Sequence, residues 1–228
     1  MDLSQYRLEA LRQDEEFILY RCLRQTKEEE GPQSLLALLP VMERPVPATI
    51  KKIEHEFSLK DELDPAWAVR PVALAQYRGR VVLILQDQQG QPLERFLDKP
   101  RVSGTLATGQ SVGLPEDLRW FLRLAVSLAG ALGGVHRRGI IHKDVKPANV
   151  LVNAATGQAW VTGFGIASRL PRERHMPDPP ETIAGTLAYM APEQTGRMNR
   201  LIDCRSDLYA LGVTLYRTLT GSLPITAA

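Results

Sequence analysis

The densest chemistry in this chain lies in eight residues, His142-Lys143-Asp144-Val145-Lys146-Pro147-Ala148-Asn149. A carboxylate can accept a proton from a hydroxyl and aim that oxygen at an electrophile. An ammonium two residues on can neutralise negative charge that grows during group transfer. An amide five residues after the acid offers the neutral oxygen that hard divalent cations accept. The apolar Val150-Leu151-Val152 follows at once and reads as a short buried strand.

Further signals follow in a fixed order. Gly163-Phe164-Gly165 comes after a predicted strand, Ala159 to Thr162. Gly185-Thr186, Tyr189 and Met190 lead into Ala191-Pro192-Glu193, and Asp207-Leu208-Tyr209-Ala210-Leu211-Gly212 opens a helical pattern. In order and spacing this set resembles the catalytic loop H-R-D-x-x-x-x-N, the D-F-G and A-P-E segments and the central helix of protein kinases. The resemblance implies an α+β, two-lobed fold: a small N-lobe sheet with one helix, and a mostly helical C-lobe. It implies ATP and Mg2+ as cofactors and protein Ser/Thr as substrate. Asp144 is then the base, Lys146 the phosphate contact and Asn149 the metal ligand. Ala37, Leu85, Gln86, Gln88 and Leu151 are implied to surround the adenine. Glu56, or a residue one place away, matches the acid of the first long helix. His142, Phe164 and Thr186 are implied packing or structural residues, with Asp207 accepting backbone N–H groups from the catalytic loop. Glu193 lacks the Arg that pairs with it in the family. Ser168 and Thr182 are hydroxyls open to phosphorylation.

The resemblance narrows further. Glu54-His55-Glu56, Leu63 to Pro71, Thr162 to Ser168 and Gly185 to Asn199 resemble the kinase-like N-terminal modules of large microbial sensor histidine kinases that carry an ATPase region. Other domains of a larger sensor protein are the partners this implies.

Three parts of the ATP machinery depart from the pattern. Gly163 stands where D-F-G has its metal-binding Asp, so that carboxylate is absent. Arg12 to Glu16, with no glycine and three acids, takes the place of the glycine-rich loop and should repel polyphosphate. Leu36-Ala37-Leu38-Leu39 takes the place of V-A-I-K and offers no cation, although Lys51 or Lys52 lies within a helix of it. Three readings therefore compete: a Ser/Thr kinase of weak activity, a pseudokinase that scaffolds or regulates, and an incomplete fragment.

The elements that must position these residues can be read from pattern. Strands are predicted at Tyr6 to Leu11, Phe17 to Leu23, Ser34 to Val41, Pro71 to Ala75 and Arg80 to Gln86, with a helix over Ala48 to Leu63. Residues 1–87 form the N-lobe in this reading and 88–228 a partial C-lobe. A short helix is predicted at Leu93 to Leu97, surface loops at Asp98 to Gly113 and Pro171 to Glu181, and strands at Ile140-Ile141 and Val150 to Val152. Long helices are predicted over Pro115 to His136 and Ser206 to Thr220, the second stopped by Gly221. The kinase pattern continues past a central helix and this sequence stops at Ala228, so a truncated C-lobe that self-associates is expected.

Composition sets the outer bounds. With 228 residues, 44% hydrophobic and 24% charged, the chain can bury a core without staples. Lys plus Arg is 28 and Asp plus Glu 26, a net charge of +2, which gives no field for nucleic acid or an anionic membrane. Two distant cysteines argue for a reducing compartment and against a Cys-based zinc site. The polar N-terminus and the arginines inside Leu118 to Val135 predict a soluble cytoplasmic protein, with neither a signal peptide nor a membrane span.

Overall fold

Alternating and doubly apolar runs in the first third build one antiparallel sheet. The computed structural model describes residues 3–25, 32–97, 116–169, 186–196 and 201–225. Strands β1 (Tyr6–Gln13), β2 (Phe17–Arg24), β3 (Ser34–Pro40), β4 (Pro71–Tyr77) and β5 (Arg80–Gln86) lie in the order β1-β2-β3-β5-β4. β1 runs two residues past the sequence-based end. Arg12 and Gln13 read as turn residues, yet they pair with Leu19 and Ile18. The turn shrinks to Asp14–Glu16, closed by the Asp14 carboxylate accepting from the Glu16 and Phe17 N–H groups at 2.9 and 2.7 Å.

Helix α1 (Pro47–Ser58) packs under the sheet and is shorter than predicted. Residues beyond Leu59 continue in turns. Its buried stripe is Thr49, Ile53 and Glu56, while Ile50 and Phe57 are only half-buried. The buried face is thus rotated toward two polar side chains, which an apolar-periodicity reading passes over.

The two sheet faces bury different sets of side chains. Leu3, Tyr6, Cys22, Leu35, Ala37, Leu39, Val82 and Ile84 form the outer cluster. Leu11, Leu19, Leu36, Leu38, Leu83 and Leu85 face inward, joined by Ile53 of α1 and by Leu151 and Trp160 from below.

The lower lobe is built on α2 (Glu116–Arg137) and α3 (Cys204–Thr220). β6 (Gln91–Pro92), β8 (Val150–Val152) and β9 (Ala159–Val161) form one small sheet, and β7 (Ile140–Ile141) pairs with β10 (Ser168–Arg169). Leu124, Leu128, Leu132 and Val135 of α2 enter the lower core, although the helix is long and apolar enough to cross a membrane by length and composition. Asp203 caps α3, accepting from the Arg205 N–H at 2.8 Å, and Gly221 ends it with φ 77. The segments at 98–113 and 171–181, with Thr182 and Gly185, fall outside the described residues.

Candidate functional site

The catalytic-loop residues are held from both sides. The Asp207 carboxylate, buried in the first turn of α3, accepts from the His142 and Lys143 N–H groups, each at 2.8 Å, and meets His136 Nε2 at 2.8 Å. This grip holds Lys143 at φ 68, a left-handed conformation that costs a non-glycine residue energy. His142 is fully buried against Phe164, with ring centroids 4.7 Å apart. Its Nε2–H donates to the Thr162 carbonyl at 3.0 Å and its Nδ1 accepts from the Asp144 N–H at 3.2 Å. Burial pushes its pKa down, against the pull of Asp207 and Asp144, and keeps the ring neutral.

Asp144, Lys146, Asn149 and Thr186 converge. Lys146 Nζ lies 2.9 Å from Asp144 Oδ2 and donates to Thr186 Oγ1 at 2.7 Å. The Thr186 N–H donates to Asp144 Oδ1 at 3.2 Å. Asn149 Nδ2 donates to both the side chain and the backbone carbonyl of Asp144 at 2.9 Å. The carboxylate is thereby fixed from three directions beside a cleft of about 520 Å³. Lysines 52 and 146, acids 14, 15, 16, 56 and 144, and Arg12 line that cleft.

Sequence reasoning did not single out Arg12 as a site residue. It is buried, donates from Nη1 to Asp14 Oδ2 at 2.8 Å, and crosses to the lower lobe, where Nη2 donates to Asn149 Oδ1 at 3.2 Å. Nothing in the sequence marks it, since Arg12 follows the mixed stretch Tyr6 to Leu11, which itself carries Arg7 and Glu9. Glu56, fully buried on α1, accepts from the Gly163 N–H at 3.2 Å. Lys52 reaches the cleft, paired with Glu16 at 2.5 Å.

Several placements correct the sequence reading. Ala37 packs with Leu3, Tyr6 and Cys22 on the far side of the sheet, away from the cleft. Leu38, one residue on, lines the cleft where an ammonium was sought, and Leu39 is buried beside Ala37. A one-residue slip reverses the face of every side chain in a strand. Leu85 and Leu151 lie in the inner cluster and have no exposed surface. Gln86 is exposed and Gln88 half-buried in the linker, and neither lines the cleft. Glu193 has a partner after all, since its carboxylate accepts from the buried Ser206 hydroxyl at 2.7 Å. Ser168 sits in β10 with its hydroxyl oxygen buried, which removes it from the accessible hydroxyls.

The residues present do not fit a magnesium nucleotide. Leu19, Leu36, Leu85 and Leu151, all without exposed surface, pack together with Trp160 between the sheet and the lower lobe. Arg95 Nε and Nη2 donate to the Leu11 and Ala10 carbonyls at 3.0 and 2.8 Å, tying β1 down over that cluster. Arg21 pairs with Asp87 at 2.7 Å and donates to the Gly90 carbonyl at 2.5 Å, closing the linker side. At Gly163, φ is +83, and an added Cβ would lie 2.8 Å from the Asn149 amide, so an acid there would require that side chain to move.

Comparison with known proteins places this geometry in context. A family model described as the protein kinase domain matches residues 42–228. The chain is 37% identical over 158 residues to the DNA damage-responsive serine/threonine-protein kinase RqkA of Deinococcus radiodurans, covering 68% of this chain and 23% of that protein. It is 37% identical over 149 residues to serine/threonine-protein kinase Pkn1 of Myxococcus xanthus, covering 64% and 19%. It is 42% identical over 96 residues to serine/threonine-protein kinase PknB of Mycobacterium tuberculosis, covering 42% and 15%. The matched stretches thus span under a quarter of each relative's length.

Proposed function

Because this chain belongs to the protein kinase family, we propose that it is a Ser/Thr-kinase-like signalling module that has given up magnesium-nucleotide chemistry and works as a pseudokinase. It regulates or scaffolds other domains of a larger signalling protein. The observation that carries this reading is the cluster of four completely buried leucines between the sheet and the lower lobe, which in this reading occupies the base position. Gly163 and Leu38, in place of an acid and a lysine, point the same way. The larger-protein setting draws on the resemblance to sensor-protein modules and on the small share of each relative that is matched. We place the lobe boundary at 87/88, since β5 ends at Gln86 and Asp87 anchors the linker. A cytoplasmic setting with protein partners, and neither nucleic acid nor membrane, accords with the near-neutral charge and two free cysteines.

The second reading is weak transfer of the ATP γ-phosphate to a protein Ser/Thr, with Asp144 as base. It draws on the Asp144–Lys146–Thr186 arrangement. Calorimetric titration with ATP, with and without magnesium, separates the two. No binding heat in either case is the outcome expected. Magnesium-dependent binding, with phosphate transfer abolished by Asp144→Asn, would establish the second reading instead.

A further inference from the structure

We propose that Arg12 is a tethered cation that takes the place of the metal ion on Asn149 and shuts the site to divalent cations. The inference rests on the pseudokinase reading and adds the residue that enforces it.

It begins with a defect in a strand. The β1–β2 register shifts between Ala10 and Arg12, so β1 carries a bulge there. Strict alternation would send Leu11 and Arg12 to opposite faces. The bulge breaks it, and both side chains face inward, Leu11 in the inner cluster and Arg12 lining the cleft. At the bulge the Arg95 guanidinium, from the lower lobe, donates to both the Ala10 and Leu11 carbonyls. Arg95 therefore holds the distortion that aims Arg12.

The aimed guanidinium cannot lose its charge. It donates to Asn149 Oδ1, the oxygen that the kinase pattern offers to magnesium, while Asp14 holds its other arm. Its charge also acts on buried Glu56. Like charge at such a distance opposes a divalent ion directly, and the one amide oxygen suited to that ion is already taken. Gly163 completes the arrangement. A Cβ built on Gly163 would lie 2.8 Å from the Asn149 amide, so the amide as placed needs a glycine there. Arg12 and Gly163 thus meet at the same amide.

The probe is Mn2+ alone, read by loss of its free electron-spin-resonance signal on the full chain. The unaltered chain and Arg12→Lys are expected to leave Mn2+ free. Arg12→Gln should take it up at least tenfold more tightly, and adding Asn149→Ala should abolish that gain. Uptake by the unaltered chain that Asn149→Ala removes would overturn the proposal. So would a folded Arg12→Gln that takes up no more Mn2+ than the unaltered chain. A second measurement needs no variant. The Arg12 guanidinium nitrogens should show hindered rotation and slow proton exchange by NMR, and a freely rotating, fast-exchanging group would overturn the proposal. No nucleotide is present in either test, so failure here leaves the ATP result standing, and ATP binding by the unaltered chain would not by itself remove the role of Arg12.

Discussion

Glu56 is a carboxylate with no lysine, fully buried, and burial raises its pKa to about 6 from 4.5 even though the Gly163 and Phe164 N–H groups and Arg12 pull it down. The folded chain therefore holds this proton more tightly than the unfolded chain does. Its contribution to stability is largest below the unfolded value of 4.5 and falls as pH rises through about 6. The loss amounts to about 2 kcal/mol. His142 works in the opposite sense. Its lowered pKa gives stability that is full above 6.5 and lost as pH falls below it. The two windows overlap, so a single pH curve does not separate them. Glu56→Gln keeps the oxygen that accepts from Gly163 and removes the charge. Subtracting its stability from that of the unaltered chain, by urea unfolding from pH 4 to 8, should give a difference of about 2 kcal/mol in favour of the variant at pH 7–8 that shrinks toward pH 4. A flat difference would mean that Glu56 does not titrate in this window.

At the scale of elements, the most instructive strand is β3. Its apolar run Leu35–Leu39 is buried on both faces, so the sequence carries no alternation to set its parity. Pairing with β2 and β5 sets it instead, turning Leu36 and Leu38 inward and Ala37 and Leu39 outward. The β1 bulge was equally hidden, since register shifts leave no mark on composition. The lower-lobe elements were legible because their signals are local: Gly221 stops α3, whose start at Cys204 behind the Asp203 cap was read two residues late, and Asn149 follows Asp144 at fixed spacing in one loop. The β3 parity gives a direct prediction. Leu38→Lys puts an ammonium in the cleft that Glu56 and Asp144 also line, and its melting temperature should stay within a few degrees of the original. Leu39→Lys buries the same charge beside Tyr6 and Cys22 with no acid in that cluster, a cost of about 3 kcal/mol or more, and should unfold far earlier. Equal loss in both variants would mean that the register is shifted.

At the scale of the molecule, one apolar cluster joins the lobes. Leu11, Leu19, Leu36 and Leu85 of the sheet meet Leu151 and Trp160 of the lower lobe without a solvent gap, and Arg95 and Arg21 lie across the same boundary. The apolar contact is thus continuous from the sheet to the lower lobe. The sheet should therefore lose its structure together with the lower lobe. One reporter lies inside the sheet and another outside it. Trp67, Trp120 and Trp160 all lie outside the five-stranded sheet. Cys22 lies within it, its thiol pushed up to about 12 by burial with Asp87 adding to the effect, whereas Cys204 is partly exposed. A thiol reagent in the native state should find Cys204 first and Cys22 only after the sheet opens. Across a urea gradient, Cys22 labelling and tryptophan fluorescence should share one midpoint. Leu151→Ala removes a lower-lobe side chain from the shared cluster and should destabilise by about 2–5 kcal/mol. Both reporters should then move to the same lower midpoint, although Cys22 is on the far face of the sheet. If only fluorescence moves, the lobes unfold separately and the leucine cluster does not couple them.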